Sequence, residues 1–314
     1  MSAILEVKDL VKKYGDFTAV KGISFAVEEG EIFSLLGPNG AGKTTTLSVL
    51  STLYAATSGE AIIAGHSVTR EPMAVRQIIG VVPQELALYE DLSARENLVF
   101  WGQMYGLSGQ ALSKRVDEVL EQIGLRDRAK ERVKTYSGGM KRRVNIGIGL
   151  LHKPRLLFMD EPTVGIDPQS RRAILDSVKE LNRLGMTVLY TTHYMEEAQE
   201  LSDRVGIIDH GELIALGTQK ELTRQVGEME SLILHIDESE DPQPLAEALR
   251  GLKEVRQADI GDHAVTLIVP EAEEALAPIV TRANELGVKI RSVDIREPNL
   301  EALFLHLTGR ALRD

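Results

Sequence analysis

The sequence predicts an α/β chain. A mostly parallel sheet is covered by helices on both faces, carries a helical insert, and is followed by a small α+β C-terminal domain. Three observations carry this prediction. Short runs that are apolar on both faces alternate with amphipathic segments, as buried parallel strands and their cover helices do. A glycine-rich loop, Gly37-Pro38-Asn39-Gly40-Ala41-Gly42-Lys43-Thr44, joins one such run to a helix. The charge changes character after residue 227: residues 228–314 hold 18 acidic and 9 basic residues, against 29 and 27 before, which together give the net charge of −11.

In chain order, apolar patterning places strands at 4–7, 23–27 and 32–36, with a helix starting after Gly42. Residues 92–152 carry few strand signals, so a helical insert is expected over about 85–152. Within it Val116, Val119, Leu120 and Ile123 form one helical stripe that Gly124 ends. Leu156-Leu157-Phe158-Met159 reads as a buried parallel strand, Ile174, Leu175, Val178 and Leu181 as a helix face, and 186–190 as a second buried strand. The first domain is therefore placed at 1–227 and the second at 228–314. In the second, the pattern predicts strand 231–236, helix 243–250, strands 254–260 and 264–269, helix 272–286, strand 288–295 and helix 299–308. That order matches a split-βαβ sandwich with a terminal helix. Val288 and Ile290 share one alternation phase and Val293 and Ile295 the other, so a bulge is expected at Ser292. The last helix carries Leu300, Leu303, Phe304 and Leu307 on one face, which must pack on the small sheet or on a second subunit.

Composition excludes several classes. The 314 residues include no cysteine, which removes disulfides, Cys-ligated zinc, iron–sulfur clusters and thiol catalysis, and fits a reducing compartment. The acidic balance argues against a general nucleic-acid binder. No apolar run approaches the ~18–20 residues that cross a bilayer. The start, MSAILEVKDL, has neither the basic nor the apolar stretch of a secretory leader, and a cytoplasmic protein is expected.

Three motifs carry chemistry. The first is the glycine loop, which fits G-x-x-x-x-G-K-[ST] with a strand before it and a helix after it. Glycines let backbone N–H groups turn onto phosphate oxygens, and the helix start points its positive end at the same anion. Lys43 then neutralises the β/γ-phosphates and the Thr44 hydroxyl is placed to ligate Mg²⁺. In the second motif, the strand 156–159 ends in Asp160-Glu161 at the edge that faces the ligand crevice of an open α/β sheet. Asp160 is positioned for Mg²⁺ and Glu161 for polarising an attacking water. The third motif is Tyr136-Ser137-Gly138-Gly139-Met140, which opens a helix and makes a second N-terminus shaped for an anion. Lys141, Arg142 and Arg143 follow in its first turns, where they oppose the macrodipole and predict negative charge nearby.

With these motifs in this order, residues 4–225 resemble the ATP-binding subunits of ABC transporters, which are P-loop NTPases. Further residues carry the resemblance: Tyr14 in Lys-Lys-Tyr-Gly, Gln84 in Val-Val-Pro-Gln, Asp167 in Gly-Ile-Asp-Pro, and His193 after Thr191-Thr192. The resemblance implies ATP with Mg²⁺, and hydrolysis carried by Glu161, His193 and Lys43. It implies stacking of adenine on Tyr14, and nucleotide contacts from Gly37, Pro38, Asn39, Gly40, Ala41, Gly42, Lys43, Thr44, Thr45, Gln84 and Asp160. Thr44, Gln84 and Asp160 would serve the metal. Members of that family act as head-to-tail pairs, so Ser137, Gly138 and Gly139 would complete the site of a second ATP-binding subunit, as a homodimer or with a paired paralogue, and Asp167 would contact nucleotide from the loop that links the two sites.

Two departures stand out. Tyr136 and Met140 replace the family's usual Leu and Gln at the ends of the Ser-Gly-Gly signature. The Tyr-Ser-Gly-Gly-Met form, and the tail Glu297-Pro298-Asn299-Leu300-Glu301-Ala302-Leu303-Phe304-Leu305-His306-Leu307-Thr308-Gly309, resemble the daunorubicin-resistance type of ABC-2 exporter ATPase. That resemblance implies a separate membrane-spanning permease, a place on the cytoplasmic face of the membrane, and no nucleic-acid partner. The alternatives are a family member acting in translation or DNA repair, which would carry two nucleotide domains or long coiled coils, and a small-molecule kinase, which would not need the signature.

Overall fold

The structure is a computed structural model that describes residues 3–225, 230–237, 240–261, 263–296 and 300–308. The chain forms two compact units, divided between Thr218 and Gln219. The boundary expected at 227/228 lies outside the described residues.

The first unit opens with an antiparallel hairpin, β1 (Ala3–Tyr14) and β2 (Phe17–Glu28), whose Tyr14–Phe17 pair flanks the Gly15-Asp16 turn. Both strands outrun the short stretches expected, because residues 11–18 at their outer ends are all half-buried or exposed, which weakens the apolar signal. β3 (Ile32–Leu36) leads into α1 (Lys43–Leu50). β4 (Ser58–Ile63) and the two-residue β5 (His66–Ser67) complete a four-stranded sheet in the order β2-β1-β4-β5.

After α2 (Pro72–Ile78) and β6 (Ile79–Val82) comes the helical stretch: α3 (Ala94–Met104), α4 (Gly109–Gln122) and α5 (Gly138–Leu150). Ser93 and Glu96 close a capping box at the start of α3. The stripe Val116, Val119, Leu120 and Ile123 is buried with Leu98, Val144 and Ile148, so the predicted face packs against α3 and α5.

The remaining elements of this unit are β7 (Leu156–Asp160), α6 (Pro168–Arg183), β8 (Thr187–Thr192), α7 (Met195–Leu201), β9 (Arg204–Asp209) and β10 (Glu212–Gly217). A six-stranded sheet runs β10-β9-β3-β8-β7-β6, parallel except for the β9–β10 pair. Every residue of β3, β7 and β8 is buried, which is why these runs show no alternation. Leu157, Met159, Val188 and Tyr190 join the apolar cluster on one face, and Leu156, Phe158 and Leu189 the cluster on the other. Register places the site: Leu36 lies beside Thr192 and Asp160 beside Thr191, so the chain leaves β3, β7 and β8 at neighbouring points on one edge.

The second unit holds α8 (Gln219–Gln225), β11 (Glu230–Ile236), α9 (Pro242–Leu249), β12 (Gln257–Gly261), β13 (Ala264–Val269), α10 (Ala272–Glu285), β14 (Ile290–Arg296) and α11 (Leu300–Thr308). Its sheet is antiparallel in the order β12-β13-β11-β14, the split-βαβ arrangement. The bulge falls at Arg291, one residue before the expected Ser292: His235 pairs with Ser292 and Ile236 with Ile290. It brings Val288, Ile290 and Val293 onto the same core in spite of their opposite phases. The partner of α11 is α8, an element the sequence reading left without a role; Leu222 of α8 and Leu300, Leu303 and Phe304 of α11 are all buried. Residues 297–299 and 309 of the tail motif lie outside the described residues.

Candidate active site

The site is built where β3, β7 and β8 end. Gly37 follows β3, and its N–H donates to the Thr192 carbonyl at 3.3 Å. The loop then turns through Pro38, Asn39, Gly40 and Ala41 to Gly42, which takes φ +109°. At Gly42 glycine is required twice over. That φ lies outside what side chains tolerate, and a Cβ would stand 2.7 Å from the Ala19 carbonyl oxygen. Gly42 caps α1, so Lys43, Thr44 and Thr45 are its first residues.

Lys43 is buried, yet its ammonium is fully engaged. It donates to the carbonyl oxygens of Gly37 (2.7 Å) and Pro38 (3.0 Å) and pairs with Glu161 Oε1 at 2.9 Å. Thr44 Oγ1 donates to Asp160 Oδ1 at 3.1 Å, and Thr191 Oγ1 donates to the same oxygen at 2.7 Å. Burial raises the Asp160 pKa above the ordinary aspartate value, against these two hydroxyls and the Lys43 charge, which favour the carboxylate. Thr44 and Asp160 together present hard oxygen donors, one of them a carboxylate whose charge burial disfavours. That donor set fits Mg²⁺.

Glu161 takes φ +42°, a left-handed backbone rare outside glycine. Its N–H is held by Thr191, through the hydroxyl at 3.0 Å and the carbonyl at 3.2 Å. The other oxygen, Oε2, lies 3.2 Å from His193 Nδ1. A lysine, two adjacent acids, a threonine and a histidine from three strand ends thus form one bonded cluster: Lys43, Thr44, Asp160, Glu161 and His193.

Other predicted residues lie outside these bonds. Tyr14 is exposed and meets Tyr54 edge-on, ring centroids 6.1 Å apart. Lys12 Nζ lies 5.0 Å from the Tyr14 ring and 5.5 Å from that of Tyr54, while it donates to the Ala55 carbonyl. Gln84 is exposed, and its backbone carbonyl accepts from Arg142. Asp167 caps α6 by accepting from the Ser170 N–H at 2.9 Å, and that bond holds its carboxyl below the ordinary aspartate pKa.

Ser137 caps α5 through Met140 N–H, and Ser137 and Gly138 are exposed. Gly139 is buried against α6, and a Cβ there would stand 2.3 Å from the Cβ and hydroxyl of Ser170. Only glycine allows the two helix starts to meet. The two departures from the family signature both serve packing: Tyr136 is buried and donates its hydroxyl to the Arg128 carbonyl, and Met140 lies against the main apolar cluster.

The cations after the signature need a correction. Lys141 does pair with an acid, Glu90. Arg142 instead is buried and donates to the carbonyls of Pro83 (2.8 Å) and Gln84 (2.7 Å), and Arg143 donates to the Ile123 carbonyl at 3.2 Å. Arg142 and Arg143 bond carbonyl oxygens directly, and the Asp160 charge also acts on Arg142.

Sequence reading missed a second polar cluster behind the first. Glu197, on α7, is buried and accepts hydroxyl hydrogen bonds from Thr163, Tyr190 and Thr192. The available signal was an acid on the apolar face of a helix, in phase with Leu201 and beside Ala198.

The ABC transporter family profile matches residues 20–164. The linearmycin resistance ATP-binding protein LnrL of Bacillus subtilis (strain 168) is 49% identical over 313 residues, covering 99% of this chain and 100% of that protein. The doxorubicin resistance ATP-binding protein DrrA of Mycobacterium tuberculosis is 42% identical over 297 residues, covering 94% of this chain and 89% of its own length. Among solved structures, the dimeric post-hydrolysis state of the ATP-binding cassette MJ0796, bound to ADP and Pi, matches with TM-score 0.62 and 29% identity over 68% of this chain and 98% of that one. An ATP-binding subunit of an ABC transporter matches with TM-score 0.64 and 32% identity over 71% of this chain and 93% of its own.

Proposed function

The chain belongs to the ABC transporter family of ATP-binding subunits, and on that premise we propose how its residues divide the work of hydrolysis and what it drives. It is an ATPase that energises export through a separate membrane-spanning permease. The bonded cluster of Lys43, Thr44, Asp160, Glu161 and His193 carries the residue assignments.

The loop from Gly37 to Thr45 wraps the phosphates of ATP, and Lys43 neutralises the β/γ-phosphate oxygens. Thr44 and Asp160 would hold Mg²⁺, with Gln84 assigned beside them by resemblance; a bound ion would supply further charge neutralisation on the phosphates. Glu161 polarises the attacking water and takes its proton as the water oxygen bonds to the γ-phosphorus and the bridging P–O bond breaks, which leaves ADP and phosphate. His193, held by Glu161, faces the γ-phosphate. Tyr14 stacks on adenine.

The exposed Ser137 and Gly138, with Gly139 beside them, supply donors to the nucleotide of a second ATP-binding subunit, and Asp167 lies in the loop that links the two nucleotide sites. A homodimer completes two such sites. The dimeric MJ0796 cassette supports this reading. No helix among the described residues is long and apolar enough to cross a membrane. By its resemblance to transporter ATP-binding subunits we place the chain on the cytoplasmic face, against a separate permease. The relatives named above are resistance proteins, which favours export over translation or repair. The second unit is assigned an accessory role. Turnover of ATP by the purified chain, lost in Glu161→Gln and retained in wild type, tests the assignment.

A further inference from the structure

Glu197 is a buried acid that the hydrolytic scheme does not use. It is 2% exposed, and burying a carboxylate is costly unless hydrogen bonds answer it. Three hydroxyls do so: Thr163 donates to Oε1 at 2.6 Å, and Tyr190 and Thr192 donate to Oε2 at 2.9 Å each. Two of these donors stand next to the reacting groups in the chain. Thr163 lies in the turn that follows Glu161, and Thr192 immediately precedes His193.

The chemistry at this point calls for a carboxylate. Thr192 Oγ1 already accepts the Tyr194 N–H at 2.9 Å, so its own proton must go elsewhere. Burial and the neighbouring Glu197 charge push the Tyr190 phenol well above its ordinary pKa, so it stays a donor. Three donors converge on one side chain. A carboxylate accepts all of them, whereas an amide presents one accepting oxygen and an NH₂ group, so the hydroxyl on that side must turn from donor to acceptor. On the other side, Arg171 Nε of α6 lies 3.7 Å from Oε1, and its guanidinium sits 4.3 Å over the Tyr194 ring, which is itself tilted against His193.

We propose that Glu197 is a positioning residue for ATP hydrolysis: its carboxylate ties the turn carrying Glu161 to the turn carrying His193 and sets the distance between them. Arg171 of α6, whose first turn is capped by Asp167, adds an ion-pair contact to this carboxylate. The inference rests on Glu161 and His193 being the hydrolytic pair.

The test uses the full chain. Glu197→Gln and Thr163→Val are compared with wild type and Glu161→Gln for kcat, KM, ATP affinity and thermal midpoint. Misplacing reacting groups by up to about 1 Å costs up to about a hundredfold in turnover. The expected result is a kcat loss of that size in both Glu197→Gln and Thr163→Val, with KM and ATP affinity near wild type. The double variant should lose little more than Glu197→Gln alone, because both cut the same link. Full kcat in Glu197→Gln overturns the proposal, as does a kcat loss matched by equal loss of ATP binding. Should Glu197→Gln fail to fold, Thr163→Val decides by the same split between kcat and KM. Full turnover in Glu161→Gln instead overturns the hydrolytic reading itself.

Discussion

The Lys43 ammonium and the Glu161 carboxylate form an ion pair at 2.9 Å, with both side chains buried. One cation thus serves two anions in turn, the acid at the end of β7 and the phosphate that the loop is shaped to hold. In the proposed scheme, entering phosphates would compete with Glu161 for Lys43, and the acid they displace would be the one assigned to activate water. On that assignment the pairing would join binding to the release of the base.

Glu161→Gln should therefore do two things at once. Removing a general base costs about 10²–10⁴ in rate, so turnover should fall at least about a hundredfold. ATP affinity should hold or tighten, because the amide no longer competes for Lys43. Nucleotide titration alongside steady-state turnover measures both. Clearly weakened affinity contradicts the competition.

Lys43→Ala should weaken ATP binding by about ten- to a hundredfold, since hydrogen bonds to charged groups contribute roughly 1.5–3 kcal/mol. It also strands Glu161 as a buried charge without its cation, and breaking a buried pair from one side costs about 3–5 kcal/mol. A drop in the unfolding midpoint should accompany the affinity loss. Calorimetric titration and a thermal melt check the pair of effects, and unchanged affinity contradicts the role given to the loop.

Asp160→Asn should stabilise the nucleotide-free chain while abolishing Mg²⁺-dependent turnover. Burial raises the Asp160 pKa, so the folded chain keeps its proton at a pH where the unfolded chain, near 3.8, has lost it. The group's contribution to stability is then greatest below that unfolded value and falls as pH rises through the raised folded value. Above it, the buried charge is a standing cost that Asn removes, while still accepting from Thr44 and Thr191. Melts from pH 8 downward should show Asp160→Asn above wild type at neutral pH, with the gap closing toward pH 4. A midpoint below wild type at neutral pH contradicts the sign.

Every residue of the bonded cluster belongs to the first unit, which ends at Thr218. A chain ending there should bind ATP with affinity close to the full chain while its turnover changes. Nucleotide titration and turnover of the shortened protein measure this. A folded but non-binding product contradicts the division of labour.

Legibility in the sequence followed what each element does physically. β3, β7 and β8 were plain because strands buried on both faces cannot alternate, and the phosphate loop was plain because its turns admit few residues other than glycine. The outer ends of β1 and β2 were not, since a half-exposed hairpin mixes Lys12 and Lys13 with its apolar residues. The role of α8 was hidden because its value lies in covering α11, a contact distant in sequence. Glu197 was missed for a related reason: all four groups that surround it in the core, Thr163, Tyr190, Thr192 and Arg171, sit on other elements. The bonds of Arg142 to Pro83 and Gln84 likewise join segments that no local pattern connects.

The most direct measurement of the central claim, that hydrolysis needs the Lys43 of one subunit and the Ser137 of another, is complementation. Two full-length variants, Lys43→Ala and Ser137→Arg, are each assayed alone and then mixed. In a mixed pair, the intact Lys43 of one chain meets the intact Ser137 of the other and restores one composite site. The account predicts near-silent single variants and turnover that reappears on mixing, rising with the proportion of mixed pairs. Full turnover by Ser137→Arg alone, or silence after mixing variants that demonstrably pair, contradicts it.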